Sequence, residues 1–559
     1  MHINYFVMFY TLLGGLGLFL YGMNQMSQSL QSLGSQMIKK AINYITANRV
    51  YAALVGVLVT CFVQSSSVST VMMSSFVNAG LMNLTQAVGF IFGANIGTTI
   101  TGWIISLSVG KYGLLLIGVG VLPMLFSSNS KVKNLSRLFF ALGLIFCGLE
   151  TMGTSFEPLR TSKEFHHLMT YFSASSRWSV LVCMITGCIL TMIIQSSSAM
   201  LGITMALATQ GAIEFPTAAA LVLGENIGTT ITLWLASIGA NTQTKRTAMA
   251  HSTFNVSGCI IMFCIFPFYL KFIDWMMLGN PYAVAADGTR PHVATHIAAV
   301  HTCFNVVMTL IWLPLLQYLV RFVEFIIPDR KYKEIEKFTY FGNIRNLSPV
   351  MAIEEAQMVT ARMADKTAEA IDKAGQFLLS AEMLGTLSTR VKEIEEATDE
   401  MQKEITIFLS KVLLFELDEA QTSSVNSLIR ISDELESICD YCANIVKYRE
   451  RLFENNIPLQ PETNMQLSQY LNHVQAFYAV ADEWIKEDSE GLMLKFTERY
   501  QTLSDEADKI RDHHLKMLKL QKYPPIFALT FSDIMIALRR IKNHTLNVGE
   551  ALNGRSGKY

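Results

Sequence analysis

The chain has 559 residues, 51% of them hydrophobic and 16% charged, with a formal net charge of −1. That balance gives no ground for a nucleic-acid partner, and the average hides two unlike parts. Residues 1–330 hold 16 Lys+Arg and 9 Asp+Glu, about 8% charged, whereas the rest holds 28 and 36, about 28%, which excludes a single soluble domain.

In chain order, the apolar start from Ile3 to Leu20 lacks a basic leader and a small-residue cleavage site, and reads as a retained span. Hydropathy predicts full crossings over 5–30, 85–109, 112–127, 135–153, 216–238, 247–270 and 293–320, the third short for an untilted helix of about 20 residues. Segments 50–80 and 178–209 are each split by four polar residues. We read them as helical hairpins that enter and leave on one side, because non-helical backbone at that depth survives only buried in protein or lining a cavity. Three crossings separate the hairpins, so they open to opposite sides and the repeats are inverted. The membrane domain is expected at 1–330, a linker at 331–349, where RKYKE follows the last apolar run, and a soluble domain at 350–559. Lys39, Lys40, Arg49, Lys131, Lys133, Arg137, Lys245, Arg246, Arg321, Arg330, Lys331 and Lys333 fall on one side of this topology. The other side receives Lys111, Arg160, Lys163, Arg177, Lys271 and Arg290, spread over longer loops, so the soluble tail is expected in the cytoplasm and the N-terminus outside.

The split in each hairpin is the same string, Gln-Ser-Ser-Ser, at Gln64 to Ser67 and Gln195 to Ser198. A second motif follows each 29 residues on: GANIGTT at Gly93 to Thr99 and GENIGTT at Gly224 to Thr230. Residues 56–107 align without a gap on 187–238, with 18 of 52 positions identical, inside repeats of about 50–110 and 178–240. A duplicated, helix-interrupting motif pair at membrane depth marks a repeat-built transporter whose site lies where the repeats meet.

Ser hydroxyls and free N–H groups at a new helix N-terminus suit an oxyanion. None of the four motifs contains Lys or Arg, so a dianion bound there calls for co-bound cations to offset its desolvation. Asn95, Thr98 and Thr99, with Asn226, Thr229 and Thr230, offer the neutral oxygens that sodium prefers, and unwound carbonyls near Gly97 and Gly228 are expected to add more. Groups that both donate and accept can pair with the protonated oxygen of hydrogen phosphate, which favours phosphate over sulfate.

With its paired QSSS and NIGTT motifs, the stretch 5–320 resembles the type II sodium/phosphate cotransporter family. The resemblance implies an all-α, polytopic, inverted-repeat fold with two re-entrant hairpins, phosphate held between them, co-transported sodium beside it, and a homodimer in the lipid bilayer. Carried over by position, Gln64, Ser65, Ser66, Ser67, Gln195, Ser196, Ser197 and Ser198 line the phosphate and sodium pocket. Asn95, Thr98, Asn226 and Thr229 form the next shell, with the two asparagines counted among the substrate ligands. Ser66, Ser67, Ser197, Ser198, Asn95, Thr98, Thr99, Asn226, Thr229 and Thr230 are the expected sodium ligands. One departure is Glu225 where the first copy has Ala94: either an added cation or proton site, or a carboxylate at a water-exposed cavity mouth. His251, Phe254 and Asn255 recur as His301, Phe304 and Asn305, read as packed histidines with an Asn hydrogen bond between neighbouring helices rather than a proton relay.

Residues 350–555 carry apolar positions at three- and four-residue spacing with few Gly or Pro, which predicts about six helices in two antiparallel bundles. Glu436 and Asp440, at i and i+4 in LESICDYCANI, resemble the acidic motif of PhoU-like regulatory domains, some of which bind metal clusters. Arg539 and Asn543 stand where the second half would repeat the acids, which sets a complete divalent-metal site in doubt. Cys439 and Cys442 read as core residues, since no second CxxC completes a zinc site. No Walker loop, nucleophile elbow or HExxH is present in a fitting context, so no enzyme is expected. The reading is a bacterial, multi-pass inner-membrane carrier of inorganic phosphate. The alternatives are a membrane phosphate sensor and a sodium-coupled carrier of another oxyanion.

Overall fold

The computed structural model describes residues 5–43, 48–78, 82–107, 112–156, 173–238, 242–328, 349–415, 417–486, 493–520 and 522–555. Every regular element among them is a helix, and the chain forms two compact units, Met1–Phe338 and Thr339–Tyr559. The expected linker at 331–349 lies outside the described residues except for its last, as do Lys111, Arg160, Lys163, Arg330, Lys331 and Lys333.

The first unit opens with α1 (Tyr5–Asn43), then α2 (Arg49–Val63) and α3 (Ser66–Asn78), α4 (Leu84–Thr98) and α5 (Ile100–Ser106), α6 (Gly113–Phe126) and α7 (Ser130–Phe156). The same pattern recurs as α8 (Arg177–Ile194) and α9 (Ser197–Thr209), then α10 (Phe215–Thr229) and α11 (Ile231–Ala236). The unit closes with α12 (Thr242–Cys264), α13 (Phe266–Met276) and α14 (Val293–Ile326). Among the described residues, six helices or helix runs are long and apolar enough to cross a membrane, seven if the bent α12–α13 pair is one span.

Glycines fix the direction of the packed helices, because each lets a neighbouring helix approach closely. Gly15 lies against Gly148 and Met152 and Gly22 against Ala141 and Ile145, so α1 and α7 are antiparallel. Gly113 against Cys147 and Gly120 against Phe140 make α6 antiparallel to α7 as well. By contrast, Gly89 lies against Arg49, Gly93 against Ala53 and Gly97 against Val57 and Thr60, so α2 and α4 run parallel and side by side. The chain must therefore return to its starting level through α3, which makes α2–α3 a hairpin. Gly224 against Met184 and Gly228 against Cys188 and Thr191 repeat the geometry for α8 and α10, with α9 as the returning arm.

Two expected crossings are altered. The one at 247–270 is instead two helices bent by 89°, because Pro267 at the start of α13 has no N–H to continue the ladder. The span at 112–127 is the 14-residue α6 with Pro123 inside it, about 21 Å long at 1.5 Å per residue.

The second unit holds α15 (Pro349–Leu379), α16 (Gly385–Val412) and α17 (Glu419–Glu454), followed by α18 (Pro461–Lys486), α19 (Met493–Lys519) and α20 (Pro525–Arg555). Each trio packs on itself, and the two join through α17 against α20 and α15 against α18. Asp418 and Gln421 form a capping box that starts α17. Leu428, Ile431, Leu435, Ile438 and Cys442 then bury one stripe at helical spacing.

Candidate functional site

Each hairpin turns on a glutamine. Gln64 and Gln195 have φ of 56° and 57°, a left-handed conformation that costs a side-chain-bearing residue about 1 kcal/mol and that concentrates at functional sites. Their backbone N–H groups bond to the Thr60 and Thr191 carbonyls at 2.8 and 2.7 Å. The next residue caps the returning arm: Ser65 Oγ accepts from the Val68 N–H at 3.3 Å and Ser196 Oγ from the Ala199 N–H at 3.2 Å. One serine of each motif is thus committed to the helix, although its own O–H remains a donor. Ser67 Oγ accepts from Thr232 Oγ1 at 3.2 Å, which ties the first tip to the second repeat. Gln64 Oε1 accepts from Thr101 Oγ1 at 2.9 Å. Ser66 is buried, while Ser197 and Ser198 are half-buried.

The two tips differ in cover. Gln64 is buried and Gln195 exposed. At the first tip α1 lies over the turn, with Ser27 Oγ donating to the Val63 carbonyl at 2.6 Å and Gln31 Nε2 at 3.4 Å.

The second motifs end α4 and α10 in the same way. Thr99 and Thr230 share φ −66° and ψ −20°. Thr98 Oγ1 donates to the Ala94 carbonyl at 3.0 Å and Thr229 Oγ1 to the Glu225 carbonyl at 2.8 Å. Thr99 and Thr230 bond back to Ile96 and Ile227, both at 2.8 Å. Each hydroxyl thus spends its proton locally and keeps lone pairs for another partner. Gly97 and Gly228, expected to supply unwound carbonyls, are instead helical and serve close packing, since a Cβ on either would crowd Thr60 or Thr191.

The HxxFN helices hold the motif asparagines. His251 Nε2 pairs with Asn95 Oδ1 at 3.2 Å, and Asn305 Nδ2 donates to Asn226 Oδ1 at 3.4 Å. Trp103 Nε1 bonds to Thr302 Oγ1 at 2.9 Å and Trp234 Nε1 to Ser252 Oγ at 2.7 Å, so each repeat is clamped by both α12 and α14. Around the tips, Thr60 Oγ1, Thr191 Oγ1, Asn95 Nδ2, His251 Nδ1, His301 Nδ1 and Asn305 Oδ1 are buried without partners. Such orphans cost about 1–3 kcal/mol each, and two pairs of them, Thr60 with Thr191 and His251 with His301, fall at matched positions.

Sequence reasoning missed Thr101, Thr232, Ser27 and Gln31. The two threonines follow the second motifs as Ile-Thr in both copies, a signal the alignment contained. The contacts of Ser27 and Gln31 have no counterpart motif. Glu225 does not stand at a water-exposed mouth: it is 3% exposed and accepts from Thr204 Oγ1 at 2.9 Å.

In the second unit, Glu436 and Asp440 face Glu395 and Asp399 on α16. Burial raises the Glu436, Asp440 and Glu395 carboxyls above their ordinary values, and repulsion among these acids raises them further. Among the described residues, no three His, Cys, Asp or Glu side chains form a group that could hold a metal, so the expected divalent site is not supported. Cys439 and Cys442 are fully buried core residues.

Two hairpins, each paired with a broken helix and duplicated to the level of individual hydrogen bonds, define a polytopic membrane protein with an internally repeated site. Residues 18–154 and 161–280 match the Na+/Pi-cotransporter family, and 360–448 match the PhoU domain. The chain belongs to the Na+/Pi-cotransporter family, a family of phosphate transporters, and carries a PhoU domain after its membrane part. It is 31% identical over 316 residues to the uncharacterized protein YqeW of Bacillus subtilis, covering 56% of this chain and 96% of that one. It is 25% identical over 434 residues to the "Putative inorganic phosphate export protein YjbB" of Escherichia coli, 77% of this chain and 76% of that one. A 98-residue stretch, 17% of this chain, is 39% identical to 15% of the sodium-dependent phosphate transport protein 2A of Rattus norvegicus. No solved structure matches.

Proposed function

We propose that this protein is a secondary carrier that couples inorganic phosphate to sodium by alternating access, with both hairpin tips contributing to one site. The observation that carries the reading is the cross-repeat bond from Thr232 to Ser67, which brings the tip of one repeat to α11, just past the second motif of the other. Phosphate is held by the N-terminal ends of α3 and α9, with Gln64, Ser65, Ser66, Ser67, Gln195, Ser196, Ser197 and Ser198 as donors and Asn95 and Asn226 beside them. Sodium takes the hydroxyl lone pairs of Thr98, Thr99, Thr229 and Thr230 together with Ser66, Ser67, Ser197, Ser198 and the two asparagines.

The repeats are inverted in this reading. Its basis is the count of three crossings between the two hairpins, and α1 and α7 pack antiparallel. The unequal cover of the tips fits one state of a two-state cycle, with the second tip open and the first closed. The helical domain is cytoplasmic and regulates the carrier.

Purified full-length protein in proteoliposomes tests this by phosphate flux under an imposed sodium gradient. We expect flux that collapses when potassium or choline replaces sodium, and that excess sulfate leaves intact. Sodium-independent phosphate flux, or loss of flux to sulfate competition, would reject the assignment.

A further inference from the structure

One buried pair carries a carboxylate in the second repeat alone. Glu225 on α10 and Thr204 on α9 are joined by the 2.9 Å hydrogen bond, and both are buried, at 3% and 0% exposure. The equivalent positions in the first repeat are Ala94 and Met73, both fully buried. Two facing positions have therefore changed together, apolar in one copy and carboxylate with hydroxyl in the other, while the motif residues on either side are the same.

A carboxylate enclosed in this way costs several kcal/mol unless a positive charge meets it. Glu225 has no ion-pair partner among the described residues. The titratable groups on the helices packed against α10 are Arg177, Cys183 and Cys188 on α8, Lys245, Arg246, His251, Cys259 and Cys264 on α12, and His296, His301, Cys303, Tyr318, Arg321 and Glu324 on α14. None of them forms a salt bridge with Glu225, and α9 contributes no titratable group. Close by on the same helix, Asn226 bonds to Asn305, whose Oδ1 is a buried acceptor without a donor, so this side of the second repeat holds surplus acceptor oxygen.

The geometry points to Glu225 as a monovalent-cation site present in the second repeat alone, with Thr204 orienting its carboxylate, so that the two repeats carry unequal numbers of coupled cations. This rests on the carrier reading above and adds to it the charge of the cycle. The cation is sodium, which neutralises the carboxylate when the second tip closes.

The test uses the full chain in proteoliposomes, reading 22Na and 32P uptake together with lumenal pH. In Glu225→Gln, sodium moved per phosphate falls by one and proton entry per phosphate is unchanged. The double variant Thr204→Met with Glu225→Ala rebuilds the pair that already packs in the first repeat, and gives the same change if Glu225→Gln fails to fold. An unchanged sodium ratio, whether or not proton entry changes, would overturn the inference. If the native protein moved no phosphate, the carrier reading would fail by itself. Equilibrium 22Na binding to the detergent-purified chain then still asks whether Glu225→Gln binds one sodium ion fewer.

Discussion

At the scale of residues, the site depends on backbone positions that tolerate little change. Gly224 packs so closely on Met184 that an added methyl overlaps its carbonyl, whereas Gly118 has open space around its Cα. Gly224→Ala should therefore lower the melting temperature of the detergent-solubilised protein, with a cost of about 1–3 kcal/mol for overpacking, and Gly118→Ala should leave it within the error of the same scan. Ser66 and Ser197 occupy equivalent positions beside the two tips, so Ser66→Phe and Ser197→Phe should each abolish phosphate uptake at normal protein levels. Normal uptake by either variant would contradict a shared site.

In the helical domain, the folded-state carboxyl of Asp440 is raised by burial and by Asp399. A raised carboxylate binds protons more readily folded than unfolded, so its destabilising effect is full above the raised value and disappears as pH falls toward the ordinary carboxylate range. Asp440→Asn should raise the melting temperature at pH 7, where about 1 kcal/mol corresponds to about 2–4 °C in a domain of this size, and the gain should vanish near pH 4. Calorimetry at the two pH values decides it.

Between elements, function depends on which side each hairpin enters. The parallel pairs α2 with α4 and α8 with α10 make both segments hairpins, and the proposed inversion sets their relative direction. Single cysteines at Asn48 and Arg177, in a background lacking the exposed Cys264 and the other native thiols, should label with an impermeant reagent from opposite faces, Asn48 from the cytoplasm. Labelling of both from one face would end the alternating-access scheme even if phosphate remained the cargo. The hairpins were legible in the sequence because four consecutive polar residues cannot cross lipid as ordinary helix. The 89° bend after Cys264 was less so: Pro267 was visible, but an apolar run reads alike whether it continues or turns.

For the molecule as a whole, the two compact units imply separable roles. A chain ending after Arg330 should still insert and carry phosphate, while losing any dependence of its rate on internal phosphate. A truncated protein that folds but carries nothing would make the helical domain part of the transport machinery. Composition and the ungapped repeat were enough to determine the membrane part, its duplication, the four motifs and the helical domain, because hydropathy and repeated strings are properties of the chain itself. Partnership was decided only by tertiary structure. Thr232 reaching Ser67, His251 reaching Asn95, α1 covering the first tip, and Glu225 enclosed with Thr204 all join residues far apart in the chain, and no periodicity encodes which distant side chain will satisfy a buried polar group.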